Sequence, residues 1–307
     1  MVSAVKKPWV EAHRPQVIED VIFGDARTAK IFAKYAADRN FPSLLIHGPQ
    51  GTGKSSLSYA LCRSAEVDEF DILKINCSDE KIDALRDKVK GFAMTMPLGD
   101  IKVVRLEELD YLSQDGQALL RSLIEEVSGT CRFIATCNYL NKVLPPLQDR
   151  FIVHNFAGPD VGEMALRAAE ILEKRDVEFT MDDLDAVIAA SYPSMRKVVQ
   201  TLEGHSTTGR LVLASSGEVA GDWKLGLLPL IVSGDFKSAR KLICESATRE
   251  EMQDVYRFLY DNIHKAASLK TKVDQAVVLI AQYQYQHAFV SDTEINVAAL
   301  LIEIGAL

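Results

Sequence analysis

Gly48-Pro49-Gln50-Gly51-Thr52-Gly53-Lys54-Ser55 lies between a short apolar run, Ser43 to His47, and a helical pattern, Ser56 to Arg63. The order is strand, glycine loop, helix, and the spacing is that of the phosphate-binding loop G-x-x-x-x-G-K-[ST]. Glycines let successive backbone N–H groups turn into one concavity, where a side chain would block a phosphate. A helix beginning near Lys54 adds its positive dipole end and free N–H groups. Lys54 is expected to reach the β- and γ-phosphates and Ser55 to hold Mg²⁺, with Ser56 beside them, so ATP and Mg²⁺ are the expected ligands. The alternative is a glycine-rich turn that binds nothing. All four motif positions are filled in the right context, which argues against it.

Two later strands point at the same place. Ile101 to Glu108 is an apolar run ending in two carboxylates. In P-loop ATPases the neighbouring strand ends in an acid that holds Mg²⁺, and a second acid can polarise the attacking water. Glu107 and Glu108 occupy those places. Cys131 to Asn138 is a strand ending in an amide, and Asn138 either aligns a water against the γ-phosphate or is a turn residue. Arg105, inside an otherwise apolar strand, marks a sheet edge or pairs with a carboxylate. Upstream, Arg14-Pro15 is expected to be extended. With Trp9 and the cluster Val21-Ile22-Phe23, it either wraps an adenine ring or forms a packing arm.

Short strands alternate with helices up to Phe156, which predicts an open, mostly parallel α/β sheet with helices on both faces. Its ligand should lie at the carboxyl ends of the strands, where the glycine loop, Glu107, Glu108 and Asn138 converge. Thr28 to Asp38 reads as a helix burying Ile31, Phe32 and Tyr35. A helix over Glu80 to Phe92 carries Lys81 and Arg86, by default a solvated face with Asp83 and Asp87. Phe92, Met94 and Met96 follow and by default cap the core. Ser113 caps a helix from Gln114 to Val127, where Gln117 and Arg121 share a face. Beyond Gly158 the helices Val161 to Glu173, Met181 to Ala190 and Pro193 to Leu202 follow, with Arg196 in the first turn of the third. His205 to Asp222 is rich in Ser, Thr and Gly and marks a boundary. Trp223 to Leu307 is helical throughout, including a helix from Thr248. Its apolar surface exceeds what a short bundle hides, which suggests packing against neighbouring subunits or a self-contained core.

The chain has 307 residues, 48% hydrophobic and 25% charged, as in ordinary globular proteins of two or three domains. No apolar run approaches the ~20 residues of a membrane helix, and no signal peptide is evident, so a cytoplasmic protein is expected. The net charge of −8 argues against non-specific coating of nucleic acid and leaves room for a local basic face. Five cysteines without a C-x-x-C pair read as buried thiols rather than disulfides or zinc ligands.

In sequence the chain resembles the AAA+ ATPases and, within them, the sliding-clamp loaders. Trp9-Val10-Glu11-Ala12-His13-Arg14-Pro15 looks like that family's N-terminal box, Gly48 to Ser55 like Walker A and Glu107-Glu108 like Walker B. Asn138 looks like sensor 1 and Arg196 like sensor 2. Arg150, in Leu147-Gln148-Asp149-Arg150-Phe151, stands where clamp loaders carry the arginine that reaches a neighbouring subunit's ATP. Ser78 to Leu85, Gln117 to Arg121, Tyr283 to His287 and Asn296 to Ile304 are similar to the ATPase subunit of T-even-type phage loaders. The resemblance implies a nucleotide-binding domain over 1–157, a helical lid over 158–222 and a helical collar over 223–307. It implies a five-membered ring of copies of this chain and a smaller subunit, acting on a sliding clamp and primer–template DNA. Lys81, Arg86 and Ser113 would face DNA, Phe92, Met94 and Met96 would touch the clamp, and Gln117 and Arg121 would couple DNA to the catalytic acid. There are three departures from the pattern, at four positions: Glu107 where Asp is usual, Arg105 in the strand, and Asp149 and Phe151 flanking Arg150, where the acid could hold the arginine back. Two other readings stay open: another DNA-dependent AAA+ machine of the branch-migration or helicase-loading kind, and a scaffold that binds ATP without hydrolysing it.

Overall fold

The computed structural model describes residues 7–79, 82–206, 209–212, 223–248, 251–269 and 271–307. The chain forms two compact units, Met1–Asp176 with Ser191–Gly204, and Val177–Ala190 with His205–Leu307.

The first unit is built on five strands: β1 (Leu44–His47), β2 (Ile72–Asn76), β3 (Lys102–Glu107), β4 (Cys131–Cys137) and β5 (Ile152–Asn155). Their order is β2-β3-β4-β1-β5, and every pairing is parallel. Up to Asp176 the helices of this unit are α1 (Trp9–Ala12), α2 (Ala26–Ala37), α3 (Lys54–Ser64), α4 (Ile82–Ala93), α5 (Gln114–Glu126), α6 (Pro145–Gln148) and α7 (Val161–Glu173). Successive strand residues point to opposite faces, and both faces are apolar. Leu45, Val104, Leu106, Phe133 and Ala135 form one core with Leu85 and Val89 of α4 and Leu120 and Leu123 of α5. Leu44, Ile46, Val103 and Ile134 form the other with Phe32 of α2 and Leu57 and Leu61 of α3. The predicted α/β sheet with helices on both faces is therefore the observed architecture. Cys62, Cys131 and Cys137 are buried thiols within it.

Local chemistry sets the helix starts. Asp25 accepts a hydrogen bond from the Thr28 N–H, so α2 begins two residues before the predicted Thr28. Ser113 Oγ does the same for Gly116 at the start of α5. Pro145 opens α6, where its missing N–H costs nothing. The predicted helix start at Glu80 and Lys81 lies outside the described residues, as does most of the boundary predicted over His205 to Asp222. Arg105 sits on β3, an interior strand, so it does not mark an edge.

The remaining helices are α8 (Met181–Ser191), α9 (Met195–His205), α10 (Trp223–Ser233), α11 (Phe236–Ser246), α12 (Met252–Asn262), α13 (Val273–His287) and α14 (Thr293–Ala306). In the second unit α10 to α14 share a core around Leu227, Tyr256, Leu259 and Leu300. The Asn296 amide donates to the Tyr256 hydroxyl (2.7 Å) and the Tyr283 carbonyl (2.9 Å), fixing α14 against α12 and α13. The bundle has its own core and still leaves Val278, Tyr285, Phe289, Ile295 and Ile302 exposed. Among the described residues no helix is long and apolar enough to cross a membrane.

Candidate active site

The glycine loop joins β1 to α3. Gly51 and Gly53 have φ of +80° and +105°, in the left-handed region that side chains disfavour. A Cβ on Gly51 would also lie 2.0 Å from Ser194 Oγ, so the turn tolerates no side chain there. The Lys54 ammonium curls back over the loop. It donates to the carbonyls of Gly48 (2.8 Å) and Pro49 (2.6 Å) and to Asn138 Oδ1 (2.8 Å). Burial lowers its pKa to about 8; Cys137 and Asp110 oppose the shift and Arg196 adds to it.

Asn138 is held by a residue that the sequence reading passed over. Asp110 is buried, and its Oδ2 accepts the backbone N–H groups of Asn138 (3.2 Å) and Tyr139 (3.1 Å). Its signal was the third acid in the run Glu107-Glu108-Leu109-Asp110. Gln117 braces the same region from α5. Its amide nitrogen donates to the carbonyls of Leu112 and Lys142, each at 3.0 Å, and its oxygen accepts the Leu144 N–H at 2.8 Å. It thus ties the loop after Glu108 to the loop after Asn138. Arg121, one turn on, is exposed.

Glu107 and Glu108 differ sharply. The Glu107 carboxylate is held by Arg105 Nη2 (3.2 Å) and Lys74 Nζ (2.9 Å). Arg105 therefore pairs with a carboxylate, as one of the two sequence readings had it. Glu108 is exposed and sits in the left-handed region at φ 58° and ψ 46°. For a non-glycine residue this is strained backbone, of order 1–3 kcal/mol.

A cleft of about 300 Å³ opens over the loop. It is lined by Arg14, Val21, Thr52, Gly53, Ser55, Ser56, Glu107 and Arg196, among others. Arg14 Nη2 reaches the Ser55 carbonyl at 3.4 Å, and the Arg196 backbone N–H donates to the Gly51 carbonyl at 3.3 Å. Phe23 does not line the cleft. It lies in the core, with ring centroids 5.9 Å from both Phe32 and Phe156.

Other predicted residues stand elsewhere on this unit. Arg150 is paired with Glu125 of α5, not with Asp149. Arg86 is exposed with Asp83 at 3.8 Å, and Lys81 lies outside the described residues. Phe92 is half-buried, whereas Met94 and Met96 are 81% and 87% exposed, so the two methionines do not cap the core. Their loop is anchored from below. Asp71 accepts the N–H groups of Leu98 (2.7 Å) and Gly99 (2.8 Å). Lys102 donates to the Phe92 carbonyl (2.9 Å) and to Thr95 Oγ1.

Residues 44–159 match the ATPase family associated with various cellular activities (AAA). The replication factor C small subunit of Archaeoglobus fulgidus is 35% identical over 76% of this chain and 76% of its own length. That of Methanococcus maripaludis strain C7 is 30% identical over 99% of this chain and all of its own. Among solved structures, the Thermotoga maritima RuvB Holliday junction branch migration motor superposes with a TM-score of 0.57 at 16% identity, covering 85% of this chain and 87% of that one. At that identity the likeness is one of fold.

Proposed function

The chain belongs to the replication factor C small-subunit family, and from that premise we propose that it is an ATPase subunit of a sliding-clamp loader in DNA replication. The observation that carries the reading is the Lys54 ammonium, 2.8 Å from Asn138 Oδ1, next in the chain to Gly53 and Ser55, which line the cleft together with Glu107. ATP binding closes a five-membered ring, made with copies of this chain and a smaller subunit, around an open clamp. Primer–template DNA then triggers hydrolysis and release. The three-part division into nucleotide domain, lid and collar, the narrower likeness to T-even-type phage loaders and a cytoplasmic location, the host's for a phage protein, belong to the same reading.

In the reaction a water oxygen bonds to the γ-phosphorus and the bond to the β–γ bridging oxygen breaks. Glu108 takes the water's proton, and Asn138 orients the water. Lys54 neutralises charge on the β- and γ-oxygens, with Arg196 acting in cis and Arg150 supplied by the neighbouring subunit. Ser55 and Glu107 would hold Mg²⁺. One hydroxyl and one carboxylate beside a phosphate cradle form an all-oxygen set suited to that ion, which takes its other ligands from phosphates and water. When bound, the ion neutralises developing phosphate charge. Arg86, Lys81 and Ser113 face DNA, Gln117 and Arg121 relay its presence, and Phe92, Met94 and Met96 meet the clamp.

The test is the ATPase rate of the assembled complex alone, with primer–template DNA, with clamp, and with both. Synergy between clamp and DNA is expected. Stimulation by DNA alone would favour another DNA-dependent AAA+ machine, and no turnover in the assembled complex would favour a scaffold.

A further inference from the structure

We infer that Arg105 is a positioning residue for the metal ligand, and that Arg105 and Glu107 work as one unit. This rests on the nucleotide-site reading above.

Arg105 is 6% exposed on an interior strand whose neighbours Val103, Val104 and Leu106 are fully buried and apolar. A cation there is costly unless its donors are satisfied and its charge is matched. The partners that meet this need are two residues of α3, Ser55 and Ser58, and Glu107 on its own strand. Nε and Nη2 donate to Ser58 Oγ at 3.1 and 2.9 Å. Nη2 also donates to the Ser55 carbonyl (3.1 Å) and to Glu107 Oε1 (3.2 Å). One nitrogen therefore touches both residues that offer oxygen to the metal, Ser55 through its main chain and Glu107 through its carboxylate. Alternation along β3 puts residues 105 and 107 on the same face, towards α3.

Glu107 carries one methylene more than aspartate, and with it one more rotatable bond. A carboxylate on a longer arm must be confined to serve an octahedral ion. Arg105 supplies that confinement from the buried side, and Lys74, on the neighbouring strand, closes the exposed side at 2.9 Å. Shortening the arm draws the carboxylate away from Nη2 and leaves a buried cation short of its counter-charge. The unusual acid and the unusual arginine are thus two halves of one solution.

The inference predicts a sign that a merely structural arginine would not give. Mg²⁺ is titrated into the full-length chain saturated with a non-hydrolysable ATP analogue, and metal-dependent binding is read calorimetrically, with Mn²⁺ electron paramagnetic resonance as a second readout. Arg105→Met should raise the half-saturating metal concentration about tenfold or more, the range for loss of a partner that orients a metal ligand. Metal-free binding of the analogue is measured in each variant, so that the metal effect is read relative to it. Glu107→Asp alone should also weaken metal binding, although it installs the shorter acid. The double variant Arg105→Met/Glu107→Asp should recover most of the loss. Arg105→Lys, which keeps the buried charge but cannot span both oxygens, should weaken metal binding too and serves where the methionine variant does not fold. Unchanged metal binding in the arginine variants, or additive losses in the double variant, would overturn the inference alone. A wild-type chain that binds no analogue would overturn the nucleotide reading and this inference with it.

Discussion

Lys54 Nζ and Asn138 Oδ1 are 2.8 Å apart, so the ammonium is held on the protein's own acceptors. Bound phosphates would draw that ammonium away from them and favour its charged form. With the Lys54 pKa at about 8 against an ordinary 10.5, part of the population has lost the proton just above neutrality. Nucleotide affinity should fall between about pH 7 and 9, with fractional proton uptake on binding. Calorimetry in buffers of different ionisation enthalpy checks both. Lys54→Arg should remove the pH dependence, because the guanidinium stays charged. A flat pH profile in the wild type would refute the assignment. The sign for stability is the opposite. Between pH about 8 and 10.5 the unfolded lysine keeps a proton that the folded one has lost, so the nucleotide-free chain gains stability as pH rises through that window.

Asp110 and Asn138 separate structure from chemistry. Asp110→Ala strips an acceptor from two backbone N–H groups and should destabilise the fold by about 2 kcal/mol as well as slow turnover. Asn138→Ala leaves that turn intact. It should slow single-turnover hydrolysis by about a hundredfold with little change in the denaturation midpoint. Equal destabilisation by the two would mean that Asn138 is only a turn residue.

Glu108 should trade stability for activity. Asparagine visits the left-handed region more readily, so Glu108→Asn should raise stability by about 0.5–1 kcal/mol in chemical denaturation while abolishing hydrolysis. Glu108→Gln keeps the strain and should trap an ATP-bound complex. Normal turnover in either variant would reassign the base.

The Arg150–Glu125 pair is half-exposed and therefore weak, within about 1 kcal/mol. On the clamp-loader reading proposed above, it yields to a neighbouring subunit's phosphates. Glu125→Ala should leave stability nearly unchanged and the DNA-stimulated rate of the assembled complex equal or higher. Arg150→Ala should lower that rate by about a thousandfold. If Glu125→Ala slows it instead, the pair is part of the active geometry.

What sequence made legible is what a short stretch of backbone demands. The loop at Gly48 to Ser55 is read from eight adjacent positions, and Glu107, Glu108 and Asn138 from strand ends. Short apolar strands alternating with helices gave the sheet. The rest depended on contacts between distant residues. Asp110 acts on backbone groups 28 and 29 positions away. The partner of Arg150 lies on α5, while the acid beside it in sequence is not used. Of the two readings open for Phe23, the structure takes packing, because an apolar ring near a glycine loop serves a core as well as a ligand. For Met94 and Met96 the default reading as core fails, while their exposure leaves the clamp contact that the resemblance implies open: composition does not say which side of a chain turn faces water.

The loop carrying Met94, Met96 and Leu98 rests on Asp71, which accepts two of its backbone N–H groups, and on Lys102, which donates to the Thr95 hydroxyl oxygen and to the Phe92 carbonyl at the end of α4. Its apolar tip is therefore a stiff knob rather than a tether. A partner that docks there meets a shape already ordered, and forgoes the entropy loss of immobilising a floppy segment. Recognition at such a tip is governed by fit, so a one-residue deletion within the loop should hurt binding more than exchange of one methionine for leucine.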